Sequence, residues 1–102
     1  MKNFVVIGAL ALCSISVATL AAPVITPEIK NVVCEEIFHY YSITPSQQQF
    51  RRCLTGQFVP CGTGRVTRTR INYTNGILPE GAACMVELNL NSLKVSNSAC
   101  GE

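Results

Sequence analysis

The chain has 102 residues, a net charge of +2 and 14% charged residues, with six cysteines and a single histidine. That length holds one hydrophobic core at most, which excludes a multidomain architecture. The near-neutral balance lacks the strongly basic profile of a nucleic-acid binder, and the complete absence of aspartate removes any Ser-His-Asp hydrolase.

Lys2 precedes an uncharged apolar stretch from Phe4 to Leu20, and Thr19 and Ala21 occupy the −3 and −1 positions of a cleavage site before Ala22. Residues 1–21 are therefore predicted to be a secretory signal peptide, with 22–102 as a single cysteine-rich secreted domain. Cleavage after Ala18 is the second choice. The competing reading is a membrane anchor. Against it, the run is at the short edge of the roughly 17–25 residues a span needs, and it is rich in Ala, Ser and Thr. Cys13 follows Leu12 rather than a small residue, so lipid anchoring is not expected, and this cysteine is predicted to leave with the leader.

Five cysteines remain behind the leader: Cys34, Cys53, Cys61, Cys84 and Cys100. In an exported chain of this size they read as disulfide staples that compensate for a small core. No C-x-x-C pair is present and His39 is the lone histidine, so neither a metal nor a cofactor is expected. An odd number implies one leftover thiol or a disulfide-linked dimer, and spacing alone leaves the pairing open.

Thr26-Pro27-Glu28 is a helix start: a hydroxyl cap, proline at the first position, then a carboxylate for the dipole. Ile29, Val33, Ile37 and Tyr41 follow at intervals of four, with Val32 and Tyr40 beside them, predicting a helix over 27–42. Thr44-Pro45 repeats the start signal, and a second helix is expected through Gln47, Gln48 and Gln49 to about Thr55, stopped at Gly56. So short a connection makes a helical hairpin, with Cys34–Cys53 as the first choice of bridge.

From Gln57 the period changes to two. Phe58 and Val59 suggest a short strand stopped by Pro60. Thr67, Thr69, Ile71 and Tyr73 then alternate with Arg68, Arg70 and Asn72 as a half-exposed strand. Residues 74–83 read as a loop. Cys84, Val86, Leu88 and Leu90 alternate with polar neighbours in the clearest strand of the chain, which continues or restarts at Leu93 and Val95. The tail from Ser96 is polar and tied down by Cys100. The expected fold class is α+β: a small disulfide-stapled domain with an N-terminal helical hairpin packed on a short antiparallel sheet.

Three groups of residues bear on function. Arg65, Arg68 and Arg70 lie in an acid-free segment between Ile37 and Pro79, and such a row suits an anionic surface or an acidic protein. The plainer reading is a solvated face partly neutralised by Glu80 and Glu87. Asn72-Tyr73-Thr74 is an N-glycosylation sequon, whose use requires Asn72 to face solvent in a eukaryotic secretory pathway. Residues 55–65, with Gln57, Phe58 and Val59, read first as an ordinary connector between helix and sheet, with a rigid binding loop anchored by Cys61 as the sharper alternative. Gln57-Phe58-Val59-Pro60 resembles the inhibitory Gln-x-Val-x-Gly hairpin of cystatins. Cys61 stands in place of its glycine, and the match is too short to assign that family.

The leading expectation is a non-enzymatic secreted binding protein, effector-, toxin- or inhibitor-like, acting on an extracellular protein or an anionic surface. No nucleic acid is expected as partner, and no membrane span remains after cleavage. Two alternatives compete. One is a ribonuclease-like hydrolase in which Glu35 and His39, four apart on a helix, work with an arginine. The other is a cyclic peptide-hormone precursor: Arg51-Arg52 precedes Cys53 and a segment 53–62 that resembles such a ring. An ordinary exposed helix pair and an ordinary folded connector are the corresponding bland readings.

Overall fold

The computed structural model describes residues 25–62, 67–75 and 83–101. Helix α1 (Pro27–Tyr40) begins as its sequence dictates, with Thr26 in extended backbone and its hydroxyl accepting from the Ile29 N–H at 3.2 Å. It ends two residues before the expected Ser42. Tyr41 is the C-terminal cap, and Ser42 takes a left-handed φ of 57° that no helix continues through. Ile29, Val33, Cys34, Ile37 and Phe38 form its buried face.

Helix α2 (Gln47–Cys53) is capped by Ser46 rather than by Thr44-Pro45. The Ser46 hydroxyl accepts from the Gln49 N–H at 3.1 Å, and the Gln49 side chain accepts from the Ser46 N–H at 2.8 Å. This reciprocal capping box satisfies two otherwise orphaned donors, a stronger signal than the Thr-Pro pair two residues earlier. The helix stops at Cys53, just short of the expected Thr55.

Four strands follow, β1 (Gln57–Gly62), β2 (Arg68–Thr74), β3 (Ala83–Asn89) and β4 (Val95–Gly101), and they pair in chain order as an antiparallel sheet. Pro60 does not stop β1. It lies opposite Ile71 in an edge strand, where its missing N–H costs no ladder bond on the open side. The expected polar tail is strand β4. Its Ser, Asn and Ala residues carry no alternating hydrophobic signal, and it exists because β3 offers it a partner. The turn before it is built by Asn89, whose side-chain oxygen accepts from the N–H groups of Asn91 and Ser92 at 2.8 and 2.9 Å.

Both helices lie on one face of the sheet. Ile71, Tyr73, Cys84, Val86, Leu88 and Cys100 from the strands meet the buried face of α1 and Cys53 of α2 in one core. Each large apolar side chain so buried contributes about 1.5–3 kcal/mol. Cys34–Cys53 joins the two helices and Cys84–Cys100 joins β3 to β4, with Cα separations of 6.1 and 4.1 Å. Cys61 is also disulfide-bonded, and none of the described cysteines is free. The chain is thus a small α+β domain stapled by disulfides, a helical hairpin packed on an antiparallel sheet. Among the described residues no helix is long and apolar enough to cross a membrane. The leader 1–21, with Cys13, lies outside the described residues, as do Arg65, Gly76 and Glu80.

Candidate functional site on the outer face of the sheet

Alternation along β2 sends Thr69, Ile71 and Tyr73 toward the helices, and Arg68, Arg70 and Asn72 to the opposite face. The cross-strand register sets out that outer face in rows. Val59, Asn72, Met85 and Ala99 form one row, and Cys61, Arg70, Glu87 and Asn97 form the next. Arg68 lies opposite Asn89. Arg68 and Arg70 share this face, both half-buried, with Glu87 as the cross-strand neighbour of Arg70.

Asn72 departs from expectation. Its side chain is only 1% exposed, and neither its amide nitrogen nor its oxygen has a hydrogen-bond partner. The solvent-facing Asn72 that a used sequon requires is not what this fold presents. A place on the outer face of β2 thus does not expose Asn72, and Met85 and Cys61 on the same face are buried with it. The Nε of Arg70 is likewise buried without a partner.

Gln57, Phe58 and Val59 are strand residues of β1, so the connector or rigid loop expected over 55–65 is replaced, through Gly62, by an edge strand. They also divide between faces. Gln57 and Val59 are exposed, Val59 by 41%, whereas Phe58 turns inward against Tyr73 with ring centroids 4.7 Å apart. The Lys30 ammonium lies 5.5 Å from the centre of the Phe58 ring, on the core side. Phe58 thus supports the strand, and only its two neighbours are available to a partner.

The other constellations separate in space. Glu35 and His39 are both exposed on α1, on the helix face of the sheet, while Arg68 and Arg70 lie on the opposite face. Arg51 and Arg52 belong to α2, which meets α1 along its Cys34 and Phe38 side, with the Phe38 and Phe50 rings 6.3 Å apart. None of these arginines joins the Glu35–His39 pair. Cys53 is bonded to Cys34, so the Cys53–Cys61 ring of a peptide precursor is not formed. Among the described residues no His, Cys or Glu side chains cluster as a metal site.

Sequence reasoning missed Asn75, whose amide donates to the Arg52 carbonyl at 2.9 Å and to the Tyr73 hydroxyl at 3.0 Å, tying the end of β2 to the end of α2. It also missed Ser98, whose hydroxyl donates to Glu36 at 2.7 Å. Neither contact has a local signal, since their partners lie 23 and 62 residues away in sequence. No protein-family model matches the chain, and no curated protein or solved structure is significantly similar to it.

Proposed function

We propose that this is an exported binding protein whose sheet face opposite α1 and α2 docks on an anionic surface of an extracellular partner. The observation that supports this reading is the placement of Arg68 and Arg70 side by side on that face, with exposed Gln57 and Val59 on the neighbouring strand. A guanidinium offers a planar fork of N–H donors suited to carboxylate or sulfate. Strands that share a ladder hold such groups at fixed spacing, and the Cys84–Cys100 bridge fixes the adjoining pair of strands, so little order is lost on binding. Glu87 beside Arg70 limits the field, which favours a patterned partner over bulk polyanion.

The test is binding to an immobilised sulfated glycan and to an acidic protein, as a function of salt, for the natural chain and Arg68→Ser/Arg70→Ser. Salt-sensitive retention that the double substitution lowers by about tenfold, some 1.4 kcal/mol, is the expected result. Equal retention of both proteins would remove the arginine face from consideration. Export itself is checked by intact mass of the secreted material, which reports the cleavage site and the bridges together.

A further inference from the structure

Of the five cysteines behind the predicted leader, Cys34 is bonded to Cys53 and Cys84 to Cys100. Cys61 is disulfide-bonded as well, and to none of these four. The sixth cysteine of the chain, Cys13, belongs to the segment predicted to be removed on export. In the exported chain the bond at Cys61 therefore has to run to another polypeptide. The odd sulfur that spacing could not single out is Cys61.

The neighbours of Cys61 bear on what that polypeptide is. Cys61 lies opposite Arg70, and Val59 lies opposite Asn72, on β1 and β2. Alternation turns all four side chains to the face away from α1 and α2, with Cys61 and Asn72 on one diagonal and Val59 and Arg70 on the other. Asn72 points independently to a partner: it is 1% exposed, and both polar atoms of its carboxamide are without a hydrogen bond. A carboxamide carries a donor and an acceptor, so it is matched by another of its own kind. A twofold axis along the Cys61–Asn72 diagonal sets each of those two side chains against its own counterpart. The same axis lays the stem of Arg70 over the partner subunit's Val59, a residue 41% exposed in the single chain.

We propose that the exported chain is a dimer joined by a Cys61–Cys61 disulfide, with the outer faces of its two sheets meeting about that axis. The bond forms by exchange with a disulfide-bearing oxidant of the secretory pathway. One Cys61 thiolate attacks the oxidant's disulfide to form a mixed disulfide, and the second Cys61 thiolate displaces the oxidant, which leaves as a dithiol with the two protons and two electrons. The burial of Cys61 and Asn72 is that of the full 102-residue chain, where Cys61 is already bonded. The exported chain, predicted to begin at Ala22, lacks the sulfur that held it. The dimer rests on the same export as the proposed function and names a second copy as one occupant of the same face.

The experiment is mass analysis, with and without reduction, of the full chain secreted by a host that does not N-glycosylate. The expected result is a non-reduced mass of two exported domains that becomes that of one on reduction. Cys61→Ser is secreted as a monomer with Cys34–Cys53 and Cys84–Cys100 intact. In a glutathione redox buffer Asn72→Leu, which removes the matched amides and leaves the monomer folded, lowers the dimer fraction several-fold. A monomer whose Cys61 is alkylatable or capped by a small thiol, a covalent dimer that survives Cys61→Ser, or an Asn72→Leu variant that dimerises as before would each overturn the proposal. A secreted chain that keeps residues 1–21 would overturn it together with the export on which the proposed function rests. A monomer that still binds the sulfated glycan overturns the dimer alone.

Discussion

The Tyr73 hydroxyl donates to the Cys53 carbonyl at 2.5 Å, linking the second strand of the sheet to the last residue of α2. The ring is fully buried, Phe58 packs on it, and a Cβ placed on Gly56 would fall 2.5 Å from its Cε1. Gly56 is thus required by the close approach of Tyr73. Removing the hydroxyl in Tyr73→Phe takes one of two donors from the Cys53 carbonyl, which keeps the Gly56 N–H at 3.1 Å, and is expected to cost about 0.5–1.5 kcal/mol. Gly56→Ala is expected to cost about 1–3 kcal/mol by overpacking. Urea midpoints measure both, and the Gly56→Ala penalty should persist in the Tyr73→Phe background because Cε1 and Cζ remain.

Alkaline pH reads the same residue. Burial raises the Tyr73 phenol above its ordinary value, with the Asn75 amide acting in the opposite sense. Burial, then the neighbouring Tyr40, raises Tyr41 as well. A raised acid favours the neutral form in the folded state. Its contribution is complete below about pH 10, where unfolded tyrosine begins to ionise, and is lost as pH rises through the folded value. Phenolate absorbance should therefore lag in the folded protein and appear together with unfolding. Tyr73→Phe should show a shallower loss of stability above that pH, and an unchanged slope would contradict the assignment.

The Cys34–Cys53 bridge spans 19 residues and is expected to contribute about 3 kcal/mol. Helix α2 has only seven residues, too few to persist alone. In Cys34→Ala/Cys53→Ala, amide exchange should accelerate first in α2 while β2 and β3 stay protected. Uniform acceleration across the domain would show instead that α2 unfolds only with the whole.

Asn72→Leu is expected to stabilise the fold by about 1 kcal/mol, because it replaces a buried carboxamide that has no partner with an apolar side chain. Thermal unfolding of protein made without N-glycosylation isolates the effect. A clear loss of stability would mean that the amide is satisfied in solution.

Much of this architecture could be read from local chemistry. Thr26-Pro27-Glu28 marked the start of α1 because capping is a matter of adjacent residues, and the alternation of Cys84 to Leu88 marked β3. The Cys34–Cys53 guess followed from two helices too closely joined to lie apart. The errors arose where a neighbour decides. Pro60 sits within a strand because the strand is at an edge. Ser96 to Cys100 pair because β3 requires it, and Asn72 is buried although it lies on the face turned away from the helices. The arginine row was legible as a period-two pattern. The division of Phe58 from Gln57 and Val59, and the contact of Ser98 with Glu36, depend on how the layers stack and left no mark in the order of residues.

Each of the two mapped bridges stays within its own layer, Cys34–Cys53 among the helices and Cys84–Cys100 among the strands. Between the layers there is hydrocarbon contact and a few polar links such as Ser98 to Glu36. Denaturant can therefore peel the helical hairpin from its platform without rupturing either of those bonds. The unfolded oxidised chain keeps these two local loops closed, with the bond at Cys61 besides, and refolds from segments already tied within their own layer that must still meet along a greasy seam.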